Sequence, residues 1–513
     1  MSPKTFSCIA VLGSGTMGSG IALAALRSGL QTVLYDIDET SLRRATAYIS
    51  KHLERKGQAA LLDNLQTTSE LAACKNAEVV IEAAPERMQL KQALFAELEN
   101  HLSDNAIFAS NTSTLSITEL ASATGCAQRI AGMHFFNPAP VMPLVELIRG
   151  ARTSDETIAR LQLLAQQLGK TAVIASDTPG FIVNRVARPF YGEALRLLQE
   201  NAADHETIDR IIRGAGFRMG PFQLMDLIGI DINFTVMSSM YEQMYQEARY
   251  KPSLVQLQKI RDNALGKKSG RGFYDYENEQ DEAPQAGSAP AFTKALCVVP
   301  GYWNTEIEQH FIRAGVQVIP DAEHAGALVL TTGRKENITD VLRAADASLA
   351  PEYPLIVQCH DSTLMHLSSF CKHPRRLIGF DALSLGLSPV VTLVKNEFTD
   401  ETALQTAISL FTSMGKTPAL ISDTPALVLP RLLAMLANEA AFAVLEGVAD
   451  GDTIDTAMKL GVNYPKGPLE WARNLGVGRM LDILEHLYAE YREERYRPCF
   501  MLRQWARREK SGL

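Results

Sequence analysis

The sequence has no excess of basic residues and no long uncharged apolar run. Among its 513 residues, Asp and Glu outnumber Lys and Arg by 58 to 50, which gives a net charge of −8. This balance gives no support for nucleic-acid binding, which usually requires a basic face. No stretch of about 18 apolar residues free of charge occurs, so the sequence predicts no membrane span. No signal-like segment precedes the first apolar run, and we expect a cytoplasmic protein.

Cysteine is also sparse, and its seven positions are scattered: Cys8, Cys74, Cys126, Cys297, Cys359, Cys371 and Cys499. The number is odd and none of the cysteines is spaced as C-x-x-C. Such a set is typical of reduced thiols rather than of a disulfide framework or a zinc site. We therefore predict no bound metal.

A glycine-rich turn follows the first apolar run, Cys8 to Leu12. After the turn comes a helical pattern and then a second apolar strand that ends at Asp36. In this order the glycines permit a tight turn and a close backbone approach to a pyrophosphate, while the helix N-terminus favours phosphate. An acid at the end of the second strand accepts from a ribose 2′-hydroxyl and repels a 2′-phosphate, which favours NAD over NADP. FAD shares this fingerprint and stays an alternative. The candidate cofactor-binding residues of this segment are Gly13, Gly15, Thr16, Met17, Gly18 and Asp36.

Two further apolar segments predict strands that lead toward the nicotinamide half of the cofactor. One runs into a loop that contains Glu86, and the other ends just before Ser113. In an open parallel sheet, ligands bind beyond the carboxyl ends of the strands. Glu86, Lys91 and Ser113 are therefore predicted neighbours of the nicotinamide. For Glu86 and Lys91, exposed charges at the start of a helix explain the pattern equally well.

His134 is the candidate catalytic base. The segment 137–140, Asn-Pro-Ala-Pro, cannot be regular helix or central strand, so we expect a loop at the end of a strand over 130–133. Histidine titrates near neutrality and can take the proton of a hydroxyl as hydride leaves its carbon. Glu146 stands among apolar residues, where a carboxylate is costly unless paired, so it is the predicted partner of His134. With Ser113 and Asn184 as polar groups for a carbonyl, the set predicts hydride transfer from an alcohol.

These segments, together with 110–113, 177–185 and 266–274, resemble the NAD-dependent L-3-hydroxyacyl-CoA dehydrogenases over residues 6 to 276. The resemblance implies that His134 is the base, Glu146 its partner, and Ser113 and Asn184 contacts of the substrate oxygens. It also implies an acyl-CoA substrate. The positions that match cofactor contacts are Asp36, Glu86, Lys91, Ser113, Asn137 and Lys268. Lys51 and Lys56 resemble positions near the 3′-phosphate of CoA.

The second half of the sequence repeats the first in a degraded form. The Ser-Asp-Thr-Pro segment at 422–425 echoes the one at 176–179, and the breaker at 461–468 echoes the one at 216–221. A repeat of this size changes the predicted fold. We align Phe380 with His134, Thr392 with Glu146 and Pro430 with Asn184. The copy has therefore lost its chemistry, and we predict one active site per chain.

The predicted fold class is an α/β Rossmann domain plus an all-α domain, followed by a degenerate duplicate of both. We expect an NAD-binding Rossmann domain over 1–182, a helical substrate and dimerisation-type domain over 183–283, a degenerate Rossmann-like copy over 284–420, and a second helical domain over 421–513. A polar stretch at 277–290 reads as a linker. The helical parts are expected to pack together around an intrachain pseudo-twofold, and the protein to form a homo-oligomer, either a dimer or a trimer.

Long dehydrogenases with such a second copy and an Arg-Tyr-Arg-Pro-Cys tail, here 495–499, resemble the bacterial enzymes of phenylacetate breakdown. That resemblance implies 3-hydroxyadipyl-CoA as the substrate, with 3-hydroxybutanoyl-CoA, the substrate of a short-chain enzyme, as the alternative. A dicarboxylic acyl chain needs a cation at its distal end, and Arg185 and Arg188 are candidates. Two other hypotheses are a non-catalytic NAD-binding scaffold, which the intact catalytic set disfavours, and a 6-phosphogluconate-type dehydrogenase, whose lysine base is absent near Asn184.

Overall fold

The computed structural model describes residues 5–277, 291–332 and 338–511. Apart from Glu277, the predicted linker lies outside the described residues. All seven cysteines are free thiols, as the sequence predicts. Within the described ranges, no helix is both long and apolar enough to cross a membrane.

The first half of the chain alternates strands and helices and then becomes helical. Its strands are β1 (Cys8–Leu12), β2 (Gln31–Tyr35), β3 (Leu65–Thr68), β4 (Val79–Glu82), β5 (Ile107–Ser110), β6 (Ile130–Phe135), β7 (Leu144–Arg149) and β8 (Thr171–Ser176). Its helices are α1 (Thr16–Arg27), α2 (Glu39–Glu54), α3 (Met88–Glu99), α4 (Ile117–Ala121), α5 (Asp155–Gln167), α6 (Val183–Val186), α7 (Arg188–Gln199), α8 (His205–Gly214), α9 (Pro221–Ile228), α10 (Ile230–Gln243) and α11 (Leu254–Arg261).

The second half shows the same succession. Its strands are β9 (Leu296–Val299), β10 (Val318–Ile319), β11 (Ala327–Leu330), β12 (Leu355–Gln358), β13 (Leu377–Phe380), β14 (Val390–Lys395) and β15 (Thr417–Ser422). Its helices are α12 (Ile307–Arg313), α13 (Ile338–Ser348), α14 (Leu364–Ser368), α15 (Glu401–Ser413), α16 (Leu429–Leu445), α17 (Gly451–Val462), α18 (Pro468–Leu475), α19 (Val477–Tyr491) and α20 (Phe500–Ser511). Short 3₁₀ turns span Ala59–Asn64, Leu71–Asn76, Ala127–Arg129, Ala248–Tyr250, Lys267–Ser269, Ala322–His324, Pro374–Arg376, Ser384–Gly386 and Glu494–Tyr496.

Two sheets have corresponding strand orders. The first is β3-β2-β1-β4-β5-β6-β7-β8, and the second is β10-β9-β11-β12-β13-β14-β15. In the first sheet only β6 and β7 pair antiparallel, and in the second only β13 and β14 do. The central strands β1, β4 and β5 are buried along their whole length, as expected for parallel strands covered on both faces. The Rossmann-type sheet predicted for the first half is thus confirmed.

One glycine in each sheet fixes the register of the antiparallel pair. Gly132 lies opposite Ile148, and Gly379 lies opposite Val394. A Cβ atom on Gly132 would lie 2.7 Å from the Cβ of Ile148, and one on Gly379 would lie 2.8 Å from the Cβ of Val394. Both positions therefore require glycine beside a branched side chain, and the two residues are counterparts.

This register corrects the sequence alignment by one residue. Two positions after Gly132 comes His134, whereas two positions after Gly379 comes Asp381. The backbone N–H of Asp381 donates to the carbonyl of Thr392 at 3.1 Å. Asp381, and not Phe380, is therefore the counterpart of His134, and Thr392 remains the counterpart of Glu146. The sequence alignment slipped because Phe380 and Met133 are both apolar.

The chain divides into two compact units, one formed by Met1–Val186 with Ala443–Asn463 and the other by Ala187–Phe442 with Tyr464–Leu513. In the first unit α17 packs against α6, β7 and β8. In the second unit α8 packs against β14 and β15. Each sheet is thus covered in part by a helix from the other half of the sequence. The four predicted domain boundaries stay predictions.

Within the second unit, buried ion pairs join helices from both halves of the sequence. Arg431 on α16 bonds Glu193 on α7 at 2.9 Å and Glu200 at 3.0 Å. Arg249 bonds Glu439 on α16 at 2.8 Å. The predicted contact between the two helical parts is therefore present, while the pseudo-twofold stays a prediction.

Candidate active site

His134 and Glu146 lie directly opposite each other on β6 and β7. The strand β6 continues to Phe135, so His134 lies inside the strand and the predicted loop begins two residues later than expected. The Nδ1 atom of His134 is 2.7 Å from Oε2 of Glu146. The other oxygen of Glu146 accepts the backbone N–H groups of Ile182 at 3.0 Å and Val183 at 2.9 Å. Glu146 is 0% exposed, so these bonds satisfy a carboxylate that would otherwise be costly to bury.

The contact with Glu146 leaves the second ring nitrogen of His134 for chemistry. A neutral imidazole that donates from Nδ1 has an acceptor at Nε2. The ring packs against Phe136, with centroids 4.6 Å apart, and against Phe181 at 5.9 Å. Only 6% of His134 is exposed, so the ring is held in one orientation and is approached from one side. This arrangement suits a positioned general base.

Ser113 and Asn184 lie beside each other. Asn184 donates from Nδ2 to the carbonyl oxygen of Ser113 at 3.4 Å. Ser113 follows β5, and Asn184 belongs to α6, which begins at one of the two N–H groups bound by Glu146. The same carboxylate therefore orients the imidazole and anchors the turn that carries Asn184.

Glu86 and Lys91 also gather near Ser113. Glu86 accepts from the hydroxyl of Thr112 at 2.6 Å and from the N–H of Ser113 at 2.9 Å, and it lies 3.3 Å from Nζ of Lys91. Burial acts to raise the pKa of Glu86, but Lys91 and these hydrogen bonds hold the pKa below its usual value. Lys91 is 1% exposed, so it is not the exposed helix-start charge of the alternative hypothesis.

Glu82, a buried residue that sequence reasoning missed, holds Lys91 in place. Its Oε1 accepts from Nζ of Lys91 at 2.7 Å, and its Oε2 accepts from the hydroxyl of Ser110 at 2.6 Å. Glu82 is the last residue of the apolar strand β4. The same pattern, an acid with apolar strand neighbours, singled out Glu146. A carboxylate among apolar strand residues therefore marked both positions.

The turn between β1 and α1 has the geometry that a dinucleotide needs. Gly13 has φ +95°, and a Cβ on it would lie 2.6 Å from the carbonyl of Ala83. A Cβ on Gly18 would lie 1.7 Å from the carbonyl of Gly13, whereas one on Gly15 would enter open space. Gly15 gives no side-chain cap to α1, and the first turn of this 12-residue helix carries no acid. Free N–H groups thus face an open cleft, as a pyrophosphate requires.

That cleft has a volume of about 340 Å³ and brings Gly15 and Thr16 together with Asn137. Asp36 supports the turn, because Oδ2 accepts from the N–H of Ser14 at 2.7 Å and from its hydroxyl at 2.8 Å. A carboxylate keeps further lone pairs for a ribose hydroxyl. Arg44, which sequence reasoning missed, also lines the cleft.

The remaining predicted binding residues do not line this cleft, and one of them belongs to the other unit. Met17 packs against the core of the first unit. Lys51 on α2 and Lys56 just after it are exposed, as a role in binding a phosphate of CoA requires. Lys268 belongs to the second unit and bonds both oxygens of Asp231, at 2.6 and 2.7 Å.

In the second sheet, a buried His–Asp pair occupies the positions that correspond to Ser113 and His134. Ser116 is the N-cap of α4 and Thr363 is the N-cap of α14. Ser113 lies three residues before Ser116, and His360 lies three residues before Thr363, so His360 corresponds in position to Ser113. His360 Nε2 lies 3.0 Å from Oδ1 of Asp381, and both residues are 0% exposed. Sequence reasoning missed this pair.

The ring of Trp303 packs on His360, with centroids 4.6 Å apart, and is itself 0% exposed. Burial, with Arg479 and His486, lowers the pKa of His360 to about 3. Burial raises the pKa of Asp381 to about 7. A pair this enclosed cannot reach a substrate, so it is part of the core of the second unit.

Comparisons with known proteins agree with this geometry. The family model for the 3-hydroxyacyl-CoA dehydrogenase NAD binding domain matches residues 8–178, and the model for the C-terminal domain of that family matches 180–276 and again 427–513. The 3-hydroxyadipyl-CoA dehydrogenase of Escherichia coli K12 is 38% identical over 508 residues, which cover 97% of each chain. A probable 3-hydroxybutyryl-CoA dehydrogenase of Bacillus subtilis is 39% identical over 53% of this chain and 98% of its own. The crystal structure of a 3-hydroxybutyryl-CoA dehydrogenase from Escherichia coli K12 has a TM-score of 0.83 and 37% identity, covering 99% of this chain and 100% of that one.

Proposed function

The chain belongs to the 3-hydroxyacyl-CoA dehydrogenase family, and from that premise we propose that it oxidises the 3-hydroxyl of a (3S)-3-hydroxyacyl-CoA to the 3-oxoacyl-CoA with NAD. The observation that carries the proposal is the His134–Glu146 pair, 2.7 Å apart and inside the NAD-binding unit. An oxidoreductase that acts on a secondary alcohol needs one base for the hydroxyl proton, and this pair supplies it.

In the proposed reaction, Nε2 of His134 takes the hydroxyl proton as the C3–H bond breaks and the carbonyl forms. Glu146 stabilises the resulting imidazolium through Nδ1. Bound NAD⁺ supplies the acceptor for the hydride that leaves C3. Ser113 and Asn184 donate to the substrate oxygens, and such donors contribute a few kcal/mol, on the order of 3, to transition-state stabilisation.

We assign the cofactor to the cleft at the N-terminus of α1. Gly13, Gly15 and Gly18 allow the backbone to approach the pyrophosphate, and Asp36 accepts from the ribose. The other proposed cofactor contacts are Thr16, Met17, Glu86, Lys91, Ser113, Asn137 and Lys268. Lys51 and Lys56 are proposed contacts of the CoA phosphate. The exposure of both lysines supports this assignment.

A direct test of the base is His134→Gln. Turnover should fall by at least about two orders of magnitude, the contribution of a general base, while NAD affinity stays nearly unchanged. His101→Gln, on an exposed histidine of the same unit, is the matched control and should retain full activity. Full activity of His134→Gln would refute the proposal.

For the substrate, we propose 3-hydroxyadipyl-CoA, because the relative of that name is similar over 97% of both chains. The alternative is 3-hydroxybutanoyl-CoA, favoured by the name of the full-length structural relative. Arg185 is 0% exposed and already paired with Glu446 at 2.8 Å, so it is a poor candidate for the distal carboxylate. Arg188 is buried, which lowers its pKa, and its guanidinium lies over the ring of Tyr191. Equal kcat/KM for adipyl and butanoyl substrates would remove any role for a distal carboxylate.

We also propose that the second half is a degenerate copy with a single active site left per chain. The repeated match of the C-terminal family model and the corresponding strand orders support this. Asp381, Thr392 and Pro430 stand where the first half has His134, Glu146 and Asn184. NAD should therefore bind with a stoichiometry of one per chain, and a second equivalent would contradict the proposal. We further propose that the chain has an internal pseudo-twofold, lies in the cytoplasm and forms a homo-oligomer. Light scattering would measure the oligomeric state.

A further inference from the structure

The second unit contains a cavity of about 620 Å³ that the proposed reaction does not use. It lies among α18, α19, α20 and the turn that follows β9. Its volume falls in the range of sites for small organic ligands, about 300 to 1,000 Å³. All of its lining residues belong to the second unit, so it is distinct from the cleft at α1.

The lining of this cavity is strongly cationic although the chain as a whole is acidic. Its charged members are Arg473, Arg479, Arg503, Arg507 and Lys510, with Asp482 and Glu509 as the only acids. Arg503 pairs with Glu485, and Arg479 donates to the carbonyl of Tyr302 at 2.8 Å. Among the described residues, the side chains of Arg507 and Lys510 make no hydrogen bond or ion pair. Cationic side chains focused in a concave site attract anions.

One anionic group already occupies part of the wall. The carboxylate of Glu509 accepts from the backbone N–H of Val477 at 3.0 Å and of Gly478 at 2.7 Å. These groups are the first N–H donors of the 15-residue helix α19. This carboxylate caps the helix, because helix N-termini favour negative charge, so the contacts to a phosphate have to come from the cationic side chains of the lining.

One residue of the lining, Tyr302, belongs to the turn that corresponds to the cofactor turn of the first half. Val299 pairs with Leu330 as Leu12 pairs with Glu82, so Tyr302 stands at the counterpart of Gly15. Trp303, the next residue, fills the core against His360. The second turn therefore excludes a dinucleotide, while the charged cavity beside Tyr302 remains open.

We propose that this cavity binds a phosphorylated small molecule, with Arg507 and Lys510 as the groups that contact its phosphates. The shared chemistry is a phosphate ester, carried either by a free nucleotide or by the nucleotide part of CoA. Guanidinium groups form charge-assisted and often bidentate bonds with phosphate, which is why arginines line such sites.

The test is calorimetric titration of the full chain, saturated with NAD⁺, with ATP in one experiment and CoA in another. Because the proposed substrate site also takes CoA, the CoA titration counts the sites per chain. The double variant Arg507→Ser and Lys510→Gln should weaken binding about 100-fold, at about tenfold for each charge-assisted contact. Both residues are exposed, so folding should be unaffected. Arg508→Ser, on the neighbouring exposed arginine that does not line the cavity, is the matched control and should leave affinity unchanged.

Lys510→Gln is an independent variant at the exposed end of α20 and should weaken binding about tenfold. Turnover at basal conditions should be equal in all variants, because none of these residues belongs to the proposed active site. Loss of ATP affinity alone identifies a free nucleotide as the ligand, and loss of one CoA site per chain alone identifies a CoA ester. If both ligands bind the variants as tightly as the unmodified chain, or if neither binds the unmodified chain, the proposal is wrong.

Discussion

The buried His360–Asp381 pair predicts an unusual pH dependence of stability. Burial lowers the pKa of His360 from 6.5 to about 3 and raises that of Asp381 from 3.8 to about 7. Between about pH 4 and about pH 6.5 the folded pair holds one proton, whichever of the two residues carries it. The unfolded chain also holds one proton, on the histidine. Because the two counts are equal, the pair adds no pH dependence to unfolding in this window.

Asp381→Asn removes the carboxyl and leaves a buried neutral histidine. The folded pKa of His360 then lies below its unfolded value, so its contribution to stability is complete above pH 6.5 and is lost as the pH falls toward 3. The slope is about 1.4 kcal/mol per pH unit. Between about pH 6.5 and about pH 5 this variant should lose about 2 kcal/mol relative to the unmodified chain.

His360→Gln leaves the buried carboxyl, whose folded pKa of about 7 lies above its unfolded value of 3.8. The folded state then holds a proton that the unfolded state has released. Stability is therefore greatest at low pH and is lost as the pH rises from about 4 to about 7, by about 4 kcal/mol over the whole range. In the window in which Asp381→Asn gains stability with rising pH, this variant should lose it.

Urea unfolding at several values between about pH 5 and about pH 6.5 measures both slopes. The fluorescence of Trp303, which packs on His360, reports on the second unit. Each variant is compared with the unmodified chain, so that titrations shared by all three proteins cancel. Slopes of the same sign in the two variants would refute the one-proton argument.

Four further predictions concern the active site and its supports. Glu146→Gln should lower kcat at least about tenfold while NAD affinity, measured by fluorescence titration, is unchanged, because a charge-assisted bond to His134 is lost. Gly18→Ala should weaken NAD binding more than about tenfold in the same titration, because the new Cβ would lie 1.7 Å from the carbonyl of Gly13 and must displace the turn. Arg431→Met should cost about 3 kcal/mol in urea unfolding, because the buried Glu193 loses its nearest cation and keeps Tyr496 at 3.0 Å and Arg495 at 3.9 Å. Arg497→Met, at an exposed pair with Glu494, should cost less than about 1 kcal/mol. Gly461→Val should lower kcat, because a Cβ there would lie 2.8 Å from Leu144 and 3.0 Å from Val183, and Lys459→Val on the exposed face of α17 should not.

The local chemistry of the first half could be predicted from the sequence because each signal is local. The glycine turn was recognisable from three glycines and the following acid, and Glu146 from its apolar neighbours. The same local signal at Glu82 was overlooked, although it identifies the residue that holds Lys91. In each case, burying a carboxylate costs free energy unless the carboxylate is paired. The sequence predicts that a partner exists, but only the structure shows which residue it is.

Non-local features could not be predicted in the same way. An amphipathic pattern in α8 or α17 shows that one face of the helix is buried, but it does not say which sheet covers that face. The error at Phe380 has a similar origin, since apolar residues on adjacent strand positions align equally well. Only the contact between Gly379 and Val394, which requires paired strands, fixes the register.

If the second half has no active site of its own, as proposed, the helix α17 gives a physical reason for its retention. In the first unit α17 packs against β7, the strand of Glu146, and against α6, the helix of Asn184. Gly461 approaches Leu144 and Val183, which lie two residues before Glu146 and one before Asn184. Loss of this packing would loosen β7 and α6, which carry Glu146 and the backbone N–H of Val183 that Glu146 accepts. The second half therefore contributes to the proposed chemistry of the first through packing, which constrains the residues of α17, whereas Asp381 and Thr392 are constrained by the core of the second unit.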